Sequence, residues 1–472
     1  MFTRIRRNAL VLALAAACVA APAPAEDLMQ IYQLARDADP SLAFADATKN
    51  AVGENVPEAR AALLPQISAT LGYLHNDGTN SSVSPATDNN GQPITDQAGN
   101  LVLIPQTATF RDRSRQAQGT LTQSIFNWGN ISRLRSARQT AAASASDYDA
   151  ALQDLLVRTA SAYFNVLTQE DQLTFAQANE KALARQLDQA EQRYQVGLSA
   201  ITDVHNARAN HDSSVAQVIT AQNTLDTARE SVSQIIGKDF GDLKKLREQM
   251  ALNRPEPGDI ASWVDTAVKQ NPTLASRLHS LDAAEIGIST ARAGHLPTLS
   301  ASLVRTDTPA WGGTTVAVEG SNFASPGRGL NGSTTIGVTL NVPIFSGGLV
   351  HAQSRQAVFQ RDAAQDQFEL QRRTVVAGTR NAYRAVIAGI SEVEATKQAV
   401  VSAQSSLEAT QAGFEVGTRT IVDVLLAQQT LFQAQSAYSQ ARHAFVISGL
   451  QLKQAAGVIE VKDLEAVNAL LE

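Results

Sequence analysis

Two stretches of the chain place small or apolar residues at alternating spacings of four and three, the pattern that packs long helices side by side. The first stretch lies between Gly129 and Gly197 and contains no other glycine and no proline. At 1.5 Å per residue, a helix over this stretch would be roughly 100 Å long, more than a globular domain accommodates. Alanine is frequent at the seam, so we expect closely packed coiled coils rather than a thick leucine core. The seam positions are Ala141, Ala145, Tyr148, Leu152, Leu155, Thr159, Ala162, Val166, Gln169, Leu173, Ala176, Glu180, Leu183, Leu187, Ala190 and Tyr194, of which Gln169 and Glu180 do not suit a seam.

The same pair of helices is expected twice. A shorter helix over 202–236 follows the first long one, and helices over 348–415 and 420–456 repeat the pair. Each repeat is therefore expected to contain short leading helices, two strands and a long helix pair. The predicted boundaries are an export signal at 1–25, a first repeat at 26–237, a linker at 238–258, a second repeat at 259–457 and a C-terminal segment at 458–472, with the linker and the C-terminal segment in an equatorial region.

The recurrence is visible in the residues themselves. Asp27-Leu28 recurs as Asp259-Ile260, 232 residues further on, whereas Val196-Gly197 recurs as Val416-Gly417, 220 residues further on. The first repeat is therefore longer by 12 residues, the difference between the two offsets. The tract 76–100, which is rich in Gly, Asn and Asp, contains the extra length and is predicted to be a loop.

Each repeat also carries two segments that read as strands. The four segments are 66–75, 116–125, 298–305 and 334–343. Apolar and polar residues alternate clearly in the first and last of them. Alternation over about ten residues, apolar outward and polar inward, is typical of an outer-membrane barrel strand. The alternative is two soluble hairpins with one hydrated face.

Four strands cannot close a barrel, because the smallest closed barrels have about eight. An open sheet edge in lipid would leave backbone N–H and C=O groups unpaired. The chain is therefore predicted to share its barrel with copies of itself by cyclic association. The predicted fold class is an α+β membrane protein in which a shared β-barrel continues into a long antiparallel coiled coil.

The beginning of the chain reads as an export signal. Three arginines precede an apolar run at 9–21, and Ala23 and Ala25 supply the small residues that a signal peptidase reads. Cleavage is expected before Glu26. The run is shorter than the ~20 apolar residues that span a bilayer, and later apolar stretches are shorter still, so a membrane role would have to use strands.

Charge and cysteine content remove several classes of function. The 39 basic residues minus the three arginines of the signal leave 36 against 45 acidic ones, so the basic surface that binds nucleic acid is missing. The single cysteine, Cys18, lies within the signal. Disulfides and cysteine-ligated metals are thereby excluded, and acylation of Cys18 as a lipoprotein is the less favoured alternative to cleavage before Glu26.

Catalytic chemistry finds no support in the sequence. No phosphate-binding loop, zinc-binding His-Glu-x-x-His motif or Gly-x-Ser-x-Gly motif is present. The histidines are scattered at His75, His205, His211, His279, His295, His351 and His443. We therefore predict no enzymatic activity, no cofactor and no metal site.

The turns between paired helices carry a family resemblance. The segments 196–208 and 416–425 both begin with Val-Gly and continue into Ile-Thr-Asp-Val and Ile-Val-Asp-Val, respectively. They resemble the helix-turn-helix tips of the TolC-like family of outer-membrane efflux proteins. The Leu-Pro corners at Pro65 and Pro297, and the return at Pro343, are similar to the helix–strand corners of that family.

The resemblance implies a homotrimer with a 12-stranded barrel in contact with outer-membrane lipid in a Gram-negative bacterium, continued by a helical tunnel through the periplasm. It implies two partners, a periplasmic adaptor protein and an inner-membrane transporter of the RND, ABC or MFS type. The implied function is a passive exit duct for efflux or type I secretion. The alternative from another class is an exported coiled-coil structural or adhesive protein. A simple diffusion porin is disfavoured, because a porin has no use for such long helices.

The resemblance also implies two groups of functional residues at the tips. The implied docking residues for the adaptor are Val196, Gly197, Leu198, Val416, Gly417 and Thr418. The implied periplasmic gate is formed by Thr202, Asp203, Phe414, Arg419 and Asp423, with Arg419 reaching toward Thr202 and Asp203. Each role has a plainer alternative, in which the glycines only end a helix, the aspartates only sit favourably at a helix N-terminus, and Thr202 and Thr420 only cap.

Two positions depart from the family pattern. Phe414 stands where the family has a tyrosine whose hydroxyl can contact the acidic tip, and Leu426 stands where it has a second aspartate. The closed state therefore lacks one hydrogen-bond donor. A trimer would have a single ring of three Asp423 side chains in place of two acidic rings.

Overall fold

A computed structural model describes residues 25–88, 90–318 and 321–472. The predicted export signal, with Cys18, lies outside the described residues apart from Ala25. The elements, in chain order, are α1 (Leu28–Ala38), α2 (Pro40–Gly53), α3 (Asn55–Ala61), β1 (Gln66–Pro85), β2 (Leu103–Phe126), α4 (Trp128–Gln195), α5 (Ile201–Ile236), α6 (Ile260–Gln270), α7 (Pro272–Arg292), a 3-10 turn (Ala293–His295), β3 (Thr298–Val318), β4 (Ser321–Asn341), α8 (Leu349–Glu415), α9 (Ile421–Ala455) and α10 (Val461–Asn468).

The contacts divide the chain into two compact units. The sheet unit comprises Gly53–Thr140 and Asp282–Ala363, and the helical unit comprises the described part of Met1–Val52 together with Ala141–Leu281 and Ala364–Glu472. This division cuts across the two sequence repeats, since each repeat contributes residues to both units.

The sheet unit contains a four-stranded antiparallel sheet in the order β1-β2-β3-β4. The strands are 20, 24, 21 and 21 residues long, about twice the predicted length. The predicted loop over 76–100 is wrong in part, because the residues up to Pro85 pair with β2 from Leu103 onward. Gly, Asn and Ser are weak strand formers on their own, but here each continues a hydrogen-bonded ladder that β2 already supplies.

The two faces of the sheet differ in polarity, as the alternation predicted. On the apolar face, Leu71 and Ile336 are 84% and 80% exposed. This face carries Ile67, Ala69, Leu71, Tyr73, Ala117, Leu121, Leu303, Leu330, Ile336, Val338 and Leu340. On the opposite, polar face the Nε2 of Gln116 donates to Oε1 of Gln118 at 3.2 Å, and the Nε2 of Gln118 donates to Thr120 Oγ1 at 3.2 Å.

The helical unit contains the long helices in nearly the bounds that the sequence predicted. The expected helices over 202–236 and 348–415 differ from α5 and α8 by one residue at the start, and the expected helix over 420–456 differs from α9 by one residue at each end. Glycine explains this agreement, because Gly237 has a φ of +71° just after α5, in the left-handed region where a helix ends.

The short leading helices α1 and α6 begin in the same way. The carboxylate of Asp27 accepts a hydrogen bond from the backbone N–H of Gln30 at 2.9 Å, and that of Asp259 accepts one from Ser262 at 2.8 Å. Both aspartates thus satisfy N–H groups that have no partner within the first turn of a helix. Asp27 and Asp259 are the residues that the sequence offset aligns, so the two halves use equivalent residues at equivalent helix starts.

The main core of the helical unit surrounds the middle of α4. Tyr163 and Phe164 are fully buried there among residues of α1 and α5. The hydroxyl of Tyr163 donates to the carbonyl of Lys244 at 2.8 Å. Lys245 and Glu472 exchange backbone hydrogen bonds of 3.1 and 2.8 Å, so the segment 238–258 joins the core of α4 to the C-terminal end of the chain.

Candidate gate and docking tips

Two turns, at 196–200 between α4 and α5 and at 416–420 between α8 and α9, form the first and second tips. Gly197 and Gly417 have φ angles of +76° and +81°, which side-chain-bearing residues rarely adopt. At the first tip the N–H of Leu198 donates to the carbonyl of Arg193 at 2.8 Å, and at the second the N–H of Thr418 donates to that of Gly413 at 2.9 Å. Both glycines therefore end a long helix, which is the role that the alternative to adaptor docking assigns to them.

Apolar side chains next to these glycines project into solvent. Leu198 and Val416 are 71% and 76% exposed, and Val196 is similarly exposed. A Cβ added at either tip glycine would meet no atom within 4 Å. The space beside both glycines is open, so a partner could approach the backbone closely.

The helices that leave the two tips begin differently. At the second tip Thr420 caps α9: its Oγ1 accepts from the N–H of Asp423 at 3.3 Å, while the N–H of Thr420 donates to Asp423 Oδ2 at 2.9 Å. At the first tip the N-cap residue is Ala200, which has no capping side chain. Thr420 is therefore confirmed as a cap, and Thr202 is not one.

Ser199 contacts Asp203 at the first tip but does not act as a cap, because the hydrogen bond of its hydroxyl goes to the carboxylate. Its hydroxyl donates to Asp203 Oδ2 at 2.7 Å, so the acidic residue of the first tip is held by a side chain rather than by a reciprocal box. The sequence contained this signal, because the hydroxyl lies four residues before Asp203 but three before Asp423. Only the spacing of three produces a capping box.

Local hydrogen bonds also set the charge state of Asp423. The backbone N–H of Thr420 is the main cause that lowers the pKa of this carboxyl, followed by the Thr420 hydroxyl, and the charge of Arg419 adds a smaller effect in the same direction. The carboxylate therefore stays ionised at neutral pH and through mild acidification.

Phe414 packs into a joint between the two repeats. It is half-buried against Leu183 of α4 and against Ile421 and Leu425 of α9. The guanidinium carbon of Arg193 lies 4.7 Å from the centre of the Phe414 ring, a distance at which a cation is attracted to the face of an aromatic ring. Arg193 was not predicted from the sequence, in which only its position in the last turn of the long helix hinted at a role.

A cavity of about 350 Å³ adjoins Phe414. Its lining includes four glutamines, namely Gln186, Gln189, Gln411 and Gln428. Gln186 is buried, and its Oε1 has no hydrogen-bond partner among the described residues. The interior next to the second tip is thus polar, and at least one of its hydrogen-bond acceptors has no partner among the described residues.

Arg419 does not make the predicted contact within one chain. Its side-chain stem lies against Gly413, where an added Cβ would come within 2.8 Å of Arg419 Cγ. Among the described residues of the single chain, no hydrogen bond or ion pair joins Arg419 to Thr202 or Asp203. The gate contact therefore stays a prediction, and a second copy of the chain would have to supply it.

The three predicted corner prolines lie at strand ends. Pro65 and Pro297 immediately precede β1 and β3, and Pro343 follows β4 by two residues. Proline is suited to these positions, because it has no N–H to contribute to a ladder.

Within 25–88, 90–318 and 321–472, no helix is both long and apolar enough to cross a bilayer. Over the same ranges, no group of three His, Asp, Glu or Cys side chains is arranged to hold a metal ion.

A sheet with one exposed apolar face, in the same chain as two long helices of 68 and 67 residues, defines the class of channel proteins of the outer membrane. Comparison with known proteins gives the family. The family model described as outer membrane efflux protein matches residues 31–238 and 263–458. The chain therefore belongs to the outer membrane efflux protein family.

Individual relatives agree with this assignment. Outer membrane protein TolC of Escherichia coli (strain K12) is 38% identical over 450 residues, covering 95% of this chain and 85% of the relative. Alkaline protease secretion protein AprF of Pseudomonas aeruginosa is 27% identical over 454 residues, covering 94% of this chain and 86% of that protein. These relatives are transport proteins rather than enzymes, and the chain is an outer-membrane exit duct of the kind used in efflux and type I secretion.

Solved structures share the fold. The Campylobacter jejuni CmeC outer membrane channel superposes with a TM-score of 0.70 at 17% identity, covering 95% of this chain and 90% of that one. The outer membrane protein VceC of Vibrio cholerae also gives 0.70 at 17% identity, covering 91% and 96%.

The capping difference between the tips is testable. Thr420→Ala removes the hydroxyl that accepts from the N–H of Asp423, but leaves the bond from the Thr420 N–H to the Asp423 carboxylate. It should destabilise the first turn of α9 by about 1 kcal/mol, whereas Thr202→Ala should have little effect. Hydrogen exchange of the first-turn amides of α5 and α9 measures both. Because the pKa of Asp423 is lowered, its contribution is present at neutral pH and is lost as the pH falls through that lowered value. The protection of the first-turn amides of α9 in the wild type, corrected for the intrinsic exchange rate at each pH, should therefore fall in acid. Equal protection in both variants would contradict the assignment.

Proposed function

We propose that three copies of the chain close a 12-stranded barrel in the outer membrane and continue it as a helical duct into the periplasm. The observation that carries this proposal is the sheet, in which β1 and β4 are edge strands of 20 and 21 residues. Open edges of that length cannot lie in lipid, because each unpaired backbone group costs several kcal/mol. Pairing β4 of one copy with β1 of the next removes the edges, and three copies supply enough strands for a closed barrel.

The polarity of the sheet orients the proposed barrel. The apolar face, with Leu71, Ile336 and Val338, turns outward to lipid. The polar face, with Gln116, Gln118 and Thr120, lines the pore. Hydrated amide and hydroxyl groups along the pore carry no fixed charge, which suits a duct that passes varied substrates.

The two tips are proposed to dock a periplasmic adaptor that connects the duct to an inner-membrane transporter of the RND, ABC or MFS type. Exposed apolar side chains at Val196, Leu198 and Val416 support this assignment, because isolated apolar groups around an accessible backbone suit contact with a helical hairpin. The name of the relative AprF, an alkaline protease secretion protein, makes exported proteins one candidate substrate class, alongside the small molecules that efflux systems handle.

The closed state of the duct is proposed to depend on contacts between chains at the tips. Arg419 of one copy would pair with Thr202 and Asp203 of the next, and three Asp423 carboxylates would form a single acidic ring. A partly exposed ion pair contributes on the order of 1 kcal/mol. The free energies of the three symmetry-related ion pairs add. Together, the three pairs can shift the closed–open equilibrium by tenfold or more.

Assembly is the first test of the proposal. The purified protein should be a trimer by light scattering in mild detergent, and it should conduct ions across planar bilayers without added substrate. A monomer in detergent would contradict the shared barrel. A trimer without conductance would favour an exported coiled-coil structural or adhesive protein.

Removing the proposed gate contact should open the duct. Arg419→Ala and Asp203→Ala should each raise single-channel conductance several-fold, because the loss is repeated in all three copies. Arg208→Ala is a matched control: Arg208 pairs with Glu191 at 2.6 Å on the same helix pair but outside the turn 196–200, and its loss should leave conductance unchanged. If Arg419 only neutralises a helix end, its removal will lower stability slightly without changing conductance.

Docking can be separated from folding with surface substitutions. Leu198→Glu places a charge on the exposed first tip and should reduce adaptor cross-linking and export by about tenfold, because burial of an apolar side chain of this size stabilises a complex by about 1–2 kcal/mol. Ile219→Glu is the control, since Ile219 is also exposed on α5 but lies away from the tip. Equal cross-linking in both variants, with trimers still in the outer membrane, would contradict docking at the tip.

A further inference from the structure

The apolar face of the sheet carries an apolar band and, beyond it, a group of arginines. The apolar band is formed by Ile67, Leu71, Leu330, Ile336, Val338 and Leu340. Arg111, Arg113 and Arg115 occupy alternate positions of β2 and are exposed. Arg113 lies opposite Trp311 of β3, which in turn lies opposite Arg328 of β4. These four residues, Arg111, Arg113, Arg115 and Arg328, are called the arginine belt. The belt crosses the middle of the strands, where Arg115 lies opposite Tyr73 and Arg111 lies opposite Asp77.

Aromatic residues mark the boundary between the apolar band and the belt. The ring centres of Tyr73 and Trp311 are 6.4 Å apart. The guanidinium carbon of Arg115 lies 5.3 Å from the centre of the Trp311 ring. Tyrosine and tryptophan favour the level at which a bilayer meets water, so the belt lies at headgroup height if the apolar face contacts lipid.

The described residues leave most of the positive charge of the belt without a carboxylate partner. Arg111 has a carboxylate neighbour, with its Nε 3.4 Å from Asp77 Oδ1, and Asp77 also contacts His75 at 3.1 Å. Over the described ranges, no carboxylate pairs with Arg113, Arg115 or Arg328.

Another arginine on the same face shows the contrast. Arg305 is held by Asp307, with Nη2–Oδ1 and Nε–Oδ2 distances of 2.6 and 3.2 Å. The Asp307 carboxylate neutralises the charge of Arg305. The excess of positive charge on this face therefore lies in the belt.

Two clefts beside Trp311 give the belt room for a ligand. One, of about 600 Å³, is lined by Arg111, Arg113, Trp311 and Gly313 among others. The second, of about 360 Å³, is lined by Trp311, Arg328 and Leu330 among others. Both clefts are therefore basic on one side and apolar or aromatic on the other.

We propose that the arginine belt binds the phosphate groups of a phosphorylated glycolipid in the outer leaflet, with the acyl chains of that lipid along the apolar band. The ligand must be anionic where it meets the guanidinium groups and apolar where it meets Leu330 and Ile336, so it is an amphiphile. Arginine matches phosphate in particular, because its planar fork donates two parallel hydrogen bonds to two oxygens. The inference rests on the proposed outward orientation of the apolar face.

The test compares lipids on the unmodified protein. Full-length trimers in detergent are incubated with bisphosphorylated lipid A or with the same lipid after enzymatic dephosphorylation, and bound lipid is counted by native mass spectrometry. The bisphosphorylated form should be retained about tenfold more, as expected for charge-assisted bonds to phosphate. Equal retention of both forms would overturn the proposal and leave only apolar contact. Displacement of the lipid by millimolar inorganic phosphate would overturn it in favour of a free-phosphate site.

Variants locate the site. Arg113→Gln combined with Arg328→Gln removes the two charges that flank Trp311 and should lower retention of bisphosphorylated lipid A by about tenfold. Arg305→Gln, whose charge Asp307 already neutralises, should retain lipid as the wild type does. Wild-type retention in the double variant would overturn the proposal. Trimer formation and conductance are measured on the same samples, so a failure of the lipid site is distinguishable from a failure of the proposed duct.

Discussion

The unsatisfied hydrogen-bonding groups at the two edges of the sheet constrain everything else in this protein. Ladders join β1 to β2, β2 to β3 and β3 to β4 over most of their lengths, but the outer sides of β1 and β4 have no strand to pair with among the described residues of the chain. In water such edges would be hydrated, and in lipid they would be costly. The cyclic association of the proposed duct follows from this constraint, before any contact between helices is considered, whereas the number of three copies comes from the family resemblance.

The helical unit meets a different constraint, which is to hold long helices together without a thick core. Alanine and other small residues at the seam, such as Ala176 and Ala190, are buried and allow close approach. Close approach leaves little apolar area for each residue, so stability has to accumulate along the length of the helices. The same packing makes the ends weak points, and at the ends the chain uses glycine and local caps in place of core residues.

Elements with local signals could be predicted from the sequence, whereas elements that depend on distant partners could not. The helix ends were predictable because Gly197, Gly237 and Gly417 adopt a backbone conformation that few other residues tolerate. The lengths of the strands were not, because residues such as Asn80 and Ser82 become strand only by pairing with β2. The contact of Arg193 with Phe414 could not be predicted either, because the two residues lie on different helices and are more than two hundred positions apart in the sequence.

Phe414 shows how a departure from the family pattern changes the physics of the proposed gate. A tyrosine at this position could hydrogen-bond to an acidic tip residue, whereas the phenylalanine packs against Leu183, Ile421 and Leu425 and lies under the guanidinium of Arg193. Ion pairs near the surface weaken as salt screens them, but apolar packing is largely insensitive to moderate salt. The proposed closed state would thus combine a salt-sensitive part, at Arg419 and Asp203, with a salt-resistant part around Phe414. Because apolar burial also weakens on cooling, the two parts respond to different conditions, and the Phe414 joint would keep the tip partly closed at salt concentrations that release the ion pairs.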